Sequence, residues 1–291
     1  MALVRPFSRF VAASVVALVV GLAGVDGRAD PRTPIRSADE GAVEADPSNR
    51  TPGPAAAGTT VTFPYQQKRF LHARNPNGAL AYVPQGTPAG ATLPIVVFLH
   101  GMNADGQVHP WFGPPYGDLR KVVEPLFSSG KVQPFILAAP THTRQANAAA
   151  VMWPAFDLAD FVDATEIALD GVAHVDRSQL IVVATSGGGC NPTGGILGAG
   201  VRGAKPNVVV AIDTCVDDRV IPEFATLAEA TELRLYWQRG WVRPISELAR
   251  ACEHCNIEEI DGFPSKTNAH LAIVPEAMRR ALTTILPATT D

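Results

Sequence analysis

The chain predicts an α/β domain, with helices on both faces of a mostly parallel central sheet. Two observations carry that reading. A continuous apolar run of strand length stands at Pro94–Leu99 (PIVVFL), and Gln179–Ala184 (QLIVVA) and Asn207–Ile212 (NVVVAI) are apolar after their first residue. Runs of that kind suit strands buried on both faces. Stretches with helical spacing alternate with them, and such alternation winds strands into a parallel sheet with covered faces. The size agrees: 291 residues with 46% hydrophobic content suit one single-core domain of the larger kind.

In chain order, Lys68–Ala73 and Ala79–Val83 read as short strands around the turn Asn75-Pro76-Asn77-Gly78. Pro94–Leu99 is the next strand and Tyr116–Ser129 a helix. Phe135–Ala139 returns as a strand, and Asp157–Val172 is an amphipathic helix with acidic residues on one side. After the strand Gln179–Ala184, a helix is expected over Asn191–Val201. The strands Asn207–Ile212 and Leu233–Trp237 follow. Pro244 opens a helix with Glu247 in its first turn, where a proline costs no hydrogen bond. Ile257–Ile260 is the last strand, and Val274–Ile285 the closing helix.

Two segments before the domain have other characters. Arg5 and Arg9 precede the nearly unbroken apolar stretch Phe10–Ala23, and Gly27 and Ala29 are small enough to precede a cleavage. Residues 1–29 therefore read as an export signal, too short in its apolar part for a spanning helix. No stable membrane span is expected once it is removed, and the product is expected to be secreted or periplasmic. Residues 30–60 hold five prolines among charged and small side chains, with almost no large apolar ones. Such a stretch cannot offset its chain entropy by burial and reads as a disordered linker. The folded domain is expected over residues 61–291.

Only 18% of residues are charged, the formal net charge is −4 and mean hydropathy is +0.09. The basic residues form no stripe, which argues against nucleic acid as a partner. The four cysteines are Cys190, Cys215, Cys252 and Cys255, an even count compatible with disulfides in an exported chain. Cys252-Glu253-His254-Cys255 has a metal-like spacing, but no second pair completes four ligands, so no metal is expected.

The chemistry concentrates in Ala184-Thr185-Ser186-Gly187-Gly188-Gly189, directly after a buried strand. A serine there stands on a tight strand-to-helix turn whose small neighbours let backbones approach closely. A capping serine in a glycine-rich turn is the plainer alternative. No Lys-Ser/Thr follows the glycines, so the segment is not a phosphate-binding P-loop.

Ala184–Gly188 resembles the nucleophile elbow G-x-S-x-G of the α/β-hydrolase superfamily, with alanine for the first glycine. His100-Gly101-Met102-Asn103, just after PIVVFL, resembles that family's oxyanion loop. The resemblance spans roughly residues 65–288 and implies an α/β-hydrolase fold and a serine esterase that needs no cofactor. It implies Ser186 as nucleophile and, by the family order of serine, acid, histidine, His270 as base. His270 is expected in a loop before the closing helix.

No carboxylate follows LRLYW, where most relatives carry the acid, until Glu247. Some lipases place it one strand earlier, which implies Asp213, with Asp217 and Asp218 as alternatives in the same loop. The backbone N–H groups of Gly187 and Met102 are the implied oxyanion hole. Cys190 and Cys215 either join the serine and acid loops or remain two buried thiols, and Cys252 and Cys255 could pair locally.

Two loops are expected to wall the pocket. Asn103–Gly117 carries His109, Trp111, Phe112 and Tyr116, and Thr141–Phe156 carries His142, Arg144, Trp153 and Phe156. Trp111, Phe112 and Trp153 are the expected substrate contacts, with a small-molecule or polymeric ester as the partner. A peptidase or amidase could use the same groups. The absent carboxylate after LRLYW also leaves room for a binding protein that has lost catalysis.

Overall fold

The computed structural model describes residues 57–65, 78–103, 105–142, 149–202, 204–240, 243–263 and 266–288. The expected export signal, most of the linker, the strand Lys68–Ala73 and Arg144 lie outside the described residues. The first described strand, β1 (Thr59–Phe63), starts two residues inside the stretch read as linker, and it pairs with β2 (Ala79–Val83).

The other strands are β3 (Ala91–Leu99), the two-residue hairpin arms β4 (Phe112–Gly113) and β5 (Gly117–Asp118), β6 (Ile136–Pro140), β7 (Ala173–Thr185), β8 (Val208–Ile212), β9 (Glu232–Trp237) and β10 (Asn256–Glu259). The main sheet runs β1-β2-β6-β3-β7-β8-β9-β10. Strand β2 is antiparallel to β1 and β6, and every pairing from β6 to β10 is parallel. This is the mostly parallel sheet expected, in the α/β-hydrolase arrangement.

Alternation across the pleat builds a core on each face. Val97, Leu99, Val182, Ala184, Val209 and Ala211 face one side. There they meet Leu158 and Phe161 of α2 (Leu158–Ala168), Leu197 of α3 (Gly195–Arg202), Phe224 and Leu227 of α4 (Ile221–Ala230), and Leu248 of α5 (Ile245–Ala251). Val96, Phe98, Ile181, Val183, Val210 and Ile212 face the other side. They pack on Val123 and Leu126 of α1 (Arg120–Ser128) and on Ile273, Val274, Ala277 and Met278 of α6 (Lys266–Ile285). Helix α2 starts where the Asp157 carboxylate accepts from the N–H of Asp160, an N-cap.

Three expectations about helices are corrected. Helix α4 was not anticipated, although Pro222 and Glu223 in its first turn and buried Ile221, Phe224 and Leu227 supply a helical signal. Helix α6 begins at Lys266, not Val274, so His270 sits on a helix and not in a loop. The helix runs through Pro275, with one backbone donor missing. Finally, the elbow leads into a single 3-10 turn over Ser186–Gly189, and α3 starts only at Gly195. Pro192 and the side chain of Asn191, which donates to Met152 O at 2.7 Å, hold the intervening chain out of helix.

Register decides where the site forms. Leu99 pairs with Ala184, Ala184 with Ala211, and Ala211 with Leu235. The carboxyl ends of β3, β7, β8 and β9 therefore finish level, and the residues after them share one rim.

Candidate active site

Ser186 is the first residue past β7, with a backbone φ of +51°. A left-handed backbone is strained for a serine and persists only where surroundings enforce it. The enforcement is close packing by glycines. A Cβ on Gly101 would lie 2.6 Å from Ser186 Cβ and 3.1 Å from its Oγ. One on Gly188 would lie 2.8 Å from Leu99 O, and one on Gly189 would lie 2.6 Å from Thr214 Cγ2. The three loops interlock because these positions have no side chain.

A Cβ on Gly187 would lie 3.3 Å from the Met102 amide nitrogen, so the backbones of the two expected oxyanion residues are neighbours beside Ser186. The His100 loop is held from beneath. His100 is buried, its Nδ1–H donates to Gly101 O at 2.7 Å, and the His142 N–H donates to its Nε2 at 2.9 Å. Desolvation pushes its pKa down to about 3, with nearby His142 and His109 adding to the effect, so the ring is neutral.

Asp213 follows β8, also with positive φ (+48°), and its side chain is fully buried. His270 Nδ1–H donates to Asp213 Oδ2 at 2.6 Å, from a side chain 18% exposed. Of the alternative acids, Asp217 turns to Arg219 and Asp218 is exposed. Two residues that the sequence did not single out complete the carboxylate's surroundings. Gln238 Nε2 donates to Oδ2 at 3.1 Å, and Arg243 Nη1 lies 2.7 Å from Oδ1. Both come from the connection after β9, the segment where a carboxylate had been missed. That absence was the signal available.

Ser186 and His270 line one cavity of about 310 Å³, with Gly101, Met102, Trp111 and Tyr116. The Trp111 and Tyr116 rings stack at 5.8 Å, and burial pushes the Tyr116 phenol up, so it stays a neutral hydroxyl. The β4–β5 hairpin, which follows Trp111 and carries Tyr116 in its turn, is anchored by the buried pair Arg120–Asp118 at 2.8 Å. A second cavity of about 340 Å³ opens on the other side of Ser186, lined by Thr214, Cys215, Val216, Asp217 and Arg243.

Two expected substrate contacts are corrected. Phe112 is a core side chain on the α1–α6 face. Trp153 is fully buried and its indole N–H donates to His100 O at 2.9 Å, so it supports the site from below. A Trp ring carrying one polar atom is stable inside when that atom finds a partner, as here.

Cys190 is joined to Cys215 with Cα atoms 4.8 Å apart, linking the loops that carry Ser186 and Asp213, and Cys252 is joined to Cys255. Among the described residues there is no cluster of three or more His, Cys, Asp or Glu suited to a metal ion. None of the described helices is long and apolar enough to cross a membrane.

Solved structures share this fold. One is a ferulic acid esterase, 15% identical with a TM-score of 0.52, the match covering 79% of this chain and 97% of that one. Another is a mutant of the feruloyl esterase module from Clostridium thermocellum complexed with sinapinate, 10% identical with a TM-score of 0.52, covering 84% and 94%. At such identities the likeness is one of fold. No family model matches the chain, and no curated protein matches it.

Proposed function

We propose that the chain is an exported serine esterase that cleaves carboxylic esters through an acyl-enzyme. The observation that carries the reading is the buried Asp213–His270 pair at 2.6 Å, beside a serine held at φ +51° on the same rim. In this reading Ser186 Oγ attacks the ester carbonyl carbon and His270 Nε2 takes its proton, while Nδ1–H stays on Asp213 Oδ2. The N–H groups of Gly187 and Met102 meet the charge on the carbonyl oxygen, an effect worth ~3–4 kcal/mol for one such donor. The C–O bond to the alcohol breaks as the alkoxide takes the proton from His270. Water then attacks the acyl group with His270 as base, releasing the acid and free Ser186. Atoms balance with water as the sole co-reactant.

The stacked Trp111 and Tyr116 wall suits an aromatic or other apolar part of the ester. Both esterase neighbours are named for an aromatic acid, which agrees. Two disulfides suit an oxidising compartment and support export.

The test is fluorophosphonate labelling with turnover of aryl and alkyl esters and of the matching anilides. Wild type is expected to label once, to prefer aryl esters and to leave anilides nearly untouched; Ser186→Ala is expected to lose both labelling and turnover. Labelling that survives in Ser186→Ala would overturn the assignment of the nucleophile. Anilide turnover as fast as ester turnover would replace the esterase with an amidase. Absence of any labelling in folded wild type would favour a binding protein.

A further inference from the structure

We infer that Arg243 is a positioning residue for the catalytic pair, clamping Asp213 so that one carboxylate oxygen stays on His270 and balancing its buried charge. The inference rests on the esterase reading above. Its geometry is specific. The Asp213 side chain has no solvent exposure and that of Arg243 only 7%. Arg243 Nη1 lies 2.7 Å from Asp213 Oδ1, the oxygen facing away from His270. The same guanidinium is tied to the backbone, Nε donating to Thr214 O at 3.1 Å and Nη2 to Asp213 O at 3.3 Å. One planar group thus holds the carboxylate and the main chain that carries it. Gln238 adds a donor to Oδ2.

The charge matters as much as the shape. Without a cation beside it, the carboxylate of Asp213 would be a bare anion in the interior, which is strongly unfavourable. Arg243 makes the resting pair neutral. It also engages Oδ1 and leaves Oδ2 for His270, so the two partners do not share one carboxylate oxygen. Among the described residues lining either cavity beside Ser186, the titratable or charged side chains are His100, Tyr116, Asp213, Asp217, Arg243 and His270. His100 is held neutral, the Tyr116 phenol stays protonated and Asp217 is paired with Arg219, so Arg243 is the cation acting on the pair.

The connection after β9 therefore has a different task here. In the family arrangement that the sequence resembles, this segment supplies the acid; in this chain it supplies the groups that hold an acid borne just after β8.

The experiment is the pH profile of kcat/KM on an aryl ester, normalised to sites titrated with a fluorophosphonate, for wild type, Arg243→Gln, Arg243→Met and Arg243→Lys. Both neutral variants are expected to lose kcat ~10–100-fold with little change in KM, because His270 loses its fixed partner geometry. Their acid limb is expected to move to higher pH, because a cation beside the carboxylate has been removed. Arg243→Lys keeps the charge but not the fork, so its limb should return to the wild-type position while kcat stays low. An acid limb unmoved in folded neutral variants overturns the inference, as does a loss confined to KM. Should neither neutral variant fold, Arg243→Lys decides: a lowered kcat with an unmoved limb supports the clamp, and a wild-type kcat overturns it. Wild type that neither labels nor turns over ester refutes the esterase reading instead, so the two failures are separable.

Discussion

His100 illustrates how one side chain can be mistaken for chemistry when it serves architecture. It lines the cavity beside Ser186, yet both ring nitrogens are committed to backbone, to Gly101 O and to the His142 N–H. Its pKa of about 3 in the folded chain has a consequence for stability. An unfolded histidine takes up a proton below about pH 6.5, whereas the folded ring stays neutral to about 3. Between those values the unfolded state binds more protons, so this contribution to stability is intact above about 6.5 and is lost as pH falls toward 3. His100→Asn is expected to be less stable near neutral pH but to lose less on acidification, measured by urea unfolding near pH 7 and near pH 4. Equal losses in the two proteins would mean that His100 does not govern this window. Histidine type and position were legible in the sequence; its tautomer was not, because that depends on a backbone N–H 42 residues away.

At the scale of elements, the strands from β6 to β10 in the main sheet were legible, whereas β1 and the β4–β5 hairpin were not and helix ends were less clear. Strands β3, β7 and β8 stand out because burial on both faces leaves unbroken apolar runs. Helix α6 starts eight residues before the expected Val274, which places His270 on a helix and not in a loop. Helix α2 was read correctly in place, and its packing makes a clear prediction. Phe161 is fully buried, with Tyr65 edge-on at 4.8 Å and Phe63 stacked at 6.2 Å. Phe161→Ala should cost ~3–5 kcal/mol, seen as a lower denaturation midpoint, since α2 has little else so large to bury. A cost under ~1 kcal/mol would show that the helix rests on other contacts.

For the whole molecule, the two disulfides should contribute unequally. The bond between Cys190 and Cys215 spans 25 residues and joins two loops of the rim, whereas Cys252–Cys255 spans three. Chain-entropy reasoning gives about 3.5 kcal/mol for the first and about 1.5 kcal/mol for the second. The double variant Cys190→Ala/Cys215→Ala is therefore expected to melt well below Cys252→Ala/Cys255→Ala in calorimetry. It should also lose ester turnover, because Asp213 lies two residues from Cys215. The reverse order of melting would remove this bond from the stability of the rim.

The sequence by itself determined the α/β order of elements, the strand ends from which Ser186 and Asp213 emerge, and the late arrival of His270. Each is written in local periodicity or chain order. The tertiary structure alone decided which carboxylate meets His270, that Trp153 points inward, and that Gln238 and Arg243 surround Asp213. Those facts depend on strand register, which brings residues 57 positions apart to 2.6 Å. No local pattern encodes such a distance, because it is fixed by how level neighbouring strands finish.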